Sequence, residues 1–147
     1  MSASGGGSAA PADYSGTPLP RKLGIKPGAR LCLVGAPGGF DITLGELPAG
    51  AVLRTKLRGP FDVIVAFVDS VAGLERRLPA LKRSLDPAGG LWIAWPKRSS
   101  GVPTDLGDGI VRRLGLAAGL VDNKVCAIDA TWSGLRFVYR LADRPPG

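Results

Sequence analysis

The sequence predicts an α/β fold: a mostly parallel sheet with helices on both faces, closed by an antiparallel hairpin at its C-terminal end. Three observations carry this expectation. Residues 61–68 (FDVIVAFV) and 90–95 (GLWIAW) are continuous apolar runs, the pattern of strands buried on both faces of a parallel sheet. Between them lies a stripe of helical spacing, with Leu74, Leu78, Leu81 and Leu85 on one face and Arg76, Arg77, Lys82 and Arg83 on the other. Further along, two more strand-like runs follow each other at hairpin spacing. With 147 residues, 45% of them hydrophobic, the chain has the length for one domain with its own core and not for two.

Taken in order, residues 1–13 are glycine- and serine-rich, with neither the basic start nor the apolar run of an export signal, and read as a flexible tail. Residues 13–28, broken by prolines and glycines around Leu19, Leu23 and Ile25, read as an arm with one helical turn that docks on the core. Pro27 and Gly28 turn into a first strand at 30–35 (RLCLVG), which opens into the glycine-rich bend 36–40 (APGGF). A short helix is expected at 41–47, capped by Asp41 or Thr43 and closed by Pro48. Residues 51–57 (AVLRTKL) alternate as an edge strand does, and Gly59-Pro60 turns the chain into the run at 61–68.

The next helix is expected at 71–85, kinked or divided by Pro79. Residues 86–90 (DPAGG) are a helix-to-strand stop before the second apolar run. Thr104 or Asp105 is expected to cap a helix whose core stripe is Leu106, Ile110, Val111 and Leu114, with Gly115 and Gly119 ending it. Strands at 124–129 (KVCAID) and 135–141 (LRFVYRL) flank the connection 130–134 (ATWSG), whose Ser-Gly is a turn signal. A single domain over 14–141 follows, with a loose tail at 142–147. Alternating strands and helices joined by short, right-handed crossovers make the order Rossmann-like.

Composition narrows the chemistry. The chain has no histidine, which removes the commonest general base near neutral pH and the commonest zinc ligand. Ser-His-Asp and Cys-His catalysis within one chain is excluded, and no catalytic residue set is assigned. Cys32 and Cys126 sit in apolar runs without metal-ligand spacing, so both are expected to be reduced core residues and no metal site is expected. No segment approaches the roughly 20 apolar residues of a membrane span, so a cytoplasmic protein without membrane partners is expected. The formal charge of +7, from 19 Lys and Arg against 12 Asp and Glu, favours acidic small molecules, acidic proteins or nucleic acid as partners. No nucleic-acid module is present, and the aromatic residues fall in strands rather than among the basic clusters.

The C-terminal hairpin, together with the 86–95 passage of proline, paired glycines and strand, resembles the end of the sheet in class I S-adenosylmethionine-dependent methyltransferases. That resemblance implies a glycine-rich turn after the first strand and an acidic residue at the end of the second that holds the cofactor ribose. Here the turn is 34–40 (VGAPGGF), in which Pro37 removes one amide donor, and the second strand ends in Lys56-Leu57-Arg58 without a carboxylate. About 27 residues separate Gly35 from Asp62, too few for two further strand-and-crossover units. The resemblance therefore covers the second half of the sheet, with the cofactor half cut down. A broader resemblance, carried by 14–28, 34–40, 92–97 (WIAWPK) and 131–137 (TWSGLRF), is to small bacterial proteins of the domain of unknown function 3052 type. It covers nearly all of 14–140 and implies a small, stand-alone bacterial protein with no activity to transfer.

In an open parallel sheet, ligands bind beyond the carboxyl ends of the strands, near the point where strand order reverses. That edge is expected to gather Gly35, Pro37, Gly38, Gly39 and Phe40 from the bend, Asp69 and Ser70, and Trp95, Lys97 and Arg98. Gly38 and Gly39 can present amides to an anion or simply make a tight turn. Lys97 and Arg98 can pair with a phosphate or carboxylate or belong to a solvated loop. Asp69 can contact a ribose hydroxyl, act as a base or cap the following helix. Trp92 and Trp95 lie three apart on a strand and face opposite sides, so Trp95, nearer the edge, can offer a stacking surface. Trp132 is expected to pin the hairpin.

The function expected from the sequence is a non-catalytic, Rossmann-like domain that binds an acidic or nucleotide-like small molecule, or a protein partner, at this edge. S-adenosylmethionine is not the favoured ligand on this reading. The alternatives are a reduced methyltransferase-like enzyme using the same edge, and a nucleic-acid-binding protein.

Overall fold

In a computed structural model, which describes residues 17–144, the chain forms one six-stranded sheet. The expected tail at 1–13 and the last three residues lie outside the described range. The elements are α1 (Leu19–Lys22), β1 (Arg30–Val34), α2 (Phe40–Leu44), β2 (Val52–Arg54), β3 (Phe61–Phe67), α3 (Val71–Ser84), β4 (Leu85–Pro96), α4 (Asp108–Ala117), β5 (Leu120–Ala127) and β6 (Trp132–Tyr139). The strand order is β2-β1-β3-β4-β6-β5. β1 pairs in parallel with β2 and β3, and β3 with β4, while β6 is antiparallel to both β4 and β5. The predicted α/β fold, mostly parallel with a closing antiparallel hairpin, is the one observed.

Strand alternation divides the core between two faces of the sheet. On one, Ile64, Ala66, Leu91, Ile93 and Trp95 meet Leu74, Leu78 and Leu81 of α3 and Val111 of α4. On the other, Leu31, Leu33, Val63, Val65 and Trp92 meet Leu23 and Ile25 of the arm and Phe40 and Leu44 of α2. Trp92 and Trp95 thus face opposite sides, as their spacing requires. Trp92 is wholly buried, and its indole Nε1 donates to the Leu23 carbonyl at 2.9 Å, so the arm's docking satisfies the one polar atom in that side chain.

Several local expectations are corrected. α2 starts at Phe40, with Gly39 at φ +82° as its cap, so neither Asp41 nor Thr43 caps it. β2 is an edge strand but only three residues long, and all three are exposed. α3 runs unbroken through Pro79. Residues 86–89 form a bulge in β4 rather than a stop: Leu85 pairs with Phe61 before the ladder resumes at Gly90 opposite Val63. α4 has Gly107 at its N-cap and so no side-chain cap, and Gly115 lies inside it against the Phe137 ring; Gly119, at φ +93°, ends the turn.

The hairpin connection also falls earlier than the Ser-Gly signal suggested. Asp129 Oδ1 accepts from the backbone N–H of Thr131 and of Trp132, both at 2.8 Å, so an aspartate makes the turn. Trp132, Ser133 and Gly134 are then strand residues, and Gly134 is held without a side chain by Ile128 and Trp92.

Candidate functional site

The chain passes from β1 outward to β2 and then back across β1 to β3, so strand order reverses between β1 and β3. At that switch point, beyond the carboxyl ends of the two strands, lies a recess of about 240 Å³. Gly35 and Phe67 to Ser70 form its base, Arg76 and Arg77 of α3 one wall, and Trp132 another. Gly35 adopts φ +68°, and a side chain there would approach the Phe67 carbonyl oxygen at 3.0 Å. Glycine is therefore dictated by backbone geometry where β1 leaves the sheet.

Each predicted residue at this edge can be placed. Asp69 is exposed and its side chain makes no hydrogen bond or ion pair among the described residues, so it does not cap α3. The cap is Ser70, whose Oγ accepts from the Gly73 N–H at 3.0 Å. Asp105, expected to cap α4, instead accepts from the Val71 N–H at 2.8 Å, supplying a second acceptor to the start of α3. Thr104 donates to the Asp69 carbonyl at 2.7 Å. The loop before α4 thereby fastens the backbone on either side of Ser70, while the Asp69 side chain stays exposed at the recess.

The glycine bend contributes less than the sequence suggested. Of its five candidates, only Gly35 lines the recess. Phe40 is 2% exposed, its ring set edge-on to Phe67 at 4.8 Å, and Phe67 in turn meets Trp132 edge-on at 5.0 Å. This aromatic row fills the ground behind the bend and makes Phe40 a core residue instead of a ligand contact. Gly38 and Gly39 form the tight turn into α2, a helix of a single turn, and Pro37 accepts the Phe40 N–H at 3.1 Å to close it. Trp132 pins the hairpin, as expected, through the same row.

A second cleft, of about 570 Å³, opens beyond the end of β4. Trp95, Lys97, Arg98, Thr104, Val125 and Ser133 are among its lining residues. Trp95 is only 6% exposed, so it is a core residue with one edge at the cleft and not an open stacking platform. Lys97 is half-buried, Arg98 is exposed in a one-turn 3-10 helix, and neither side chain has an ionic partner among the described residues. Thr104 and the adjoining pair Trp132 and Ser133 stand between cleft and recess. The structure thus divides the predicted site in two: Gly35, Asp69 and Ser70 at the switch point, Trp95, Lys97 and Arg98 beside β4.

Arg76 and Arg77 line the recess as well, which sequence reasoning missed. They were read as the solvent face of α3, which they are, yet the same face rises beside the recess because α3 starts directly after Asp69. Elsewhere the chemistry is quiet. Neither cysteine forms a disulfide; Cys32 is buried and burial pushes its thiol pKa up, the opposite of an activated nucleophile, and Cys126 is half-buried. Among the described residues no group of three His, Cys, Asp or Glu side chains is placed to hold a metal, and no helix is long and apolar enough to cross a membrane.

The fold places the chain among known structures. It is similar to a SAM-dependent methyltransferase from Aquifex aeolicus, at 16% identity and TM-score 0.57, over 80% of this chain and 85% of that one. It is similar also to a ribosomal protein L11 methylase from Lactobacillus delbrueckii subsp. bulgaricus, at 14% identity and TM-score 0.57, over 83% and 75% of the two chains. A third similar structure is DhpI in complex with SAH, at 9% identity and TM-score 0.59, over 84% and 83%. No protein-family model matches the chain, and no curated protein does. At these identities the likeness is one of fold: a Rossmann-like, methyltransferase-like α/β domain.

Proposed function

We propose that this protein is a reduced methyltransferase-like domain that binds S-adenosylmethionine, or its demethylated product, at the switch point of the sheet. The carrying observation is the recess there, lined by the side-chain-free Gly35 and by Asp69, whose exposed side chain has no partner among the described residues. This reverses the preference drawn from the sequence, which set the ligand aside because the cofactor half is cut down, its glycine turn carries Pro37 and its second strand has no carboxylate.

The residues suit the ligand in a modified way. β2 is too short to reach the site, and Lys56 and Arg58 beyond it offer no acceptor, so a ribose finds its acceptor in Asp69 of the neighbouring connection. Arg76 and Arg77 supply cations for the carboxylate of the amino-acid moiety. When bound, S-adenosylmethionine brings an electrophilic methyl group. The chain's own part is to orient it, and methyl transfer by positioning needs no histidine. In the adjoining cleft Lys97 and Arg98 attract an acidic group on a second molecule.

Titration calorimetry tests this. The wild-type protein should bind S-adenosylmethionine saturably, and Asp69→Asn should weaken binding about tenfold, the effect of losing one charge-assisted hydrogen bond. Absence of saturable binding at millimolar ligand would overturn the proposal. The short β2 favours a second reading, in which the same edge binds its ligand without catalysis; that reading predicts binding with no methyl transfer to any acidic acceptor.

A further inference from the structure

The opposite, amino edge of the sheet holds a different feature. Arg136 lies in the middle of β6, opposite Trp92 of β4 and Lys124 of β5, on the sheet face covered by the arm. Its guanidinium folds back over Gly90, where any side chain would collide with it. Gly89 is equally constrained, since a Cβ there would approach the Asp62 carbonyl oxygen at 2.6 Å. Gly90 is thus the floor on which the arginine rests, and the arginine and Gly89 together line a recess of about 350 Å³ with Lys26, Gly28 and Asp62.

The arginine is half-buried, yet no carboxylate reaches it among the described residues. The carboxylates nearby are committed elsewhere. Asp62 accepts from the Arg30 backbone N–H, Nε and Nη2 at 2.8, 3.0 and 2.8 Å. Asp86 accepts from Arg30 Nη2 at 3.3 Å and from the Ala88 N–H at 2.9 Å. Arg144 adds a repulsive charge, and together burial and that charge lower the Arg136 pKa. A desolvated, uncompensated cation is costly, and its neighbours Lys26 and Arg144 are cations too.

We propose that this recess is a binding site for a small oxyanion, a phosphate or carboxylate group, gripped by the Arg136 fork with Lys26 as the second cation. A planar guanidinium matches both groups with paired N–H donors, which a point charge does not. Gly90 leaves room for the guanidinium to lie flat on the strand, with Gly89 beside it in the recess lining. The site shares no residue with the carboxyl edge, so it stands or falls separately from the proposed function.

The test is an NMR titration of the wild-type protein with inorganic phosphate and, separately, with succinate, at constant ionic strength held by chloride. The Gly89 and Gly90 amides and Arg136 Nε–H should shift saturably. Affinity should fall about tenfold or more in Arg136→Gln and less in Lys26→Gln. Arg136→Lys, which keeps the charge and loses the fork, should also bind more weakly than wild type and carries the test if the glutamine variant does not fold. Saturation by phosphate alone, or by succinate alone, supports the site and identifies the group it prefers. No saturable shift with either anion, shifts equalled by chloride, or affinity unchanged in the arginine variants would overturn it.

Discussion

At the scale of single residues, glycines separate packing from conformational freedom. Gly115 of α4 lies against the Phe137 ring with no room for a methyl group, so Gly115→Ala should destabilise the protein by about 1–3 kcal/mol, the usual cost of overpacking. Gly109, in the first turn of the same helix, faces open space, and Gly109→Ala should stabilise by about 0.5–1 kcal/mol. Urea unfolding of the two variants gives opposite signs on this account. The Arg30 guanidinium holds the Asp62 carboxyl below the usual carboxylate range, chiefly through its side-chain hydrogen bonds. The stabilisation is therefore present above the unfolded carboxylate range and lost as pH falls through the lowered value. Both side chains are more than 40% exposed, and solvent screening limits the gain to about 1 kcal/mol. Asp62→Asn should be less stable than wild type by up to that amount near neutral pH and equal to it in strong acid, measured by urea unfolding at each pH.

At the scale of elements, buried strands and leucine stripes were legible because burial on one or both faces writes a period into the sequence. Residues 61–68 and Leu74, Leu78 and Leu81 show this, and β3 and α3 lie where those patterns put them. Ends were not legible, because caps are chosen by tertiary neighbours. Asp69, Ser70, Thr104 and Asp105 all have capping chemistry, and only the fold decides that Ser70 and Asp105 serve α3 while α4 starts on a glycine. Ser70→Ala should cost about 1 kcal/mol of stability and Asp105→Ala a similar amount, by loss of N-terminal acceptors; thermal unfolding of each variant measures it. β5 starts at Leu120, and the expected start at 124 falls late because Asp122 and Asn123, where the register with β6 slips, interrupt the apolar pattern.

At the scale of the whole molecule, the order β2-β1-β3-β4-β6-β5 turns scattered polar residues into an edge with two openings. The sequence indicated that edge, since Asp69 and Lys97 each follow a buried strand. It did not indicate the division into two, which depends on Trp132 meeting Phe67 between them, a contact between residues far apart in the chain. Nor did it reveal that Phe40 seals the glycine bend, because a phenylalanine after two glycines reads equally as ligand contact or core. The central claim is that the switch point between β1 and β3 is a cofactor-type ligand site, and a backbone-amide NMR titration with S-adenosylmethionine and its demethylated product tests it most directly. The account predicts saturable shifts centred on Gly35, Asp69, Ser70 and Arg76. No saturable shifts at millimolar ligand, or shifts centred away from these residues, would contradict it.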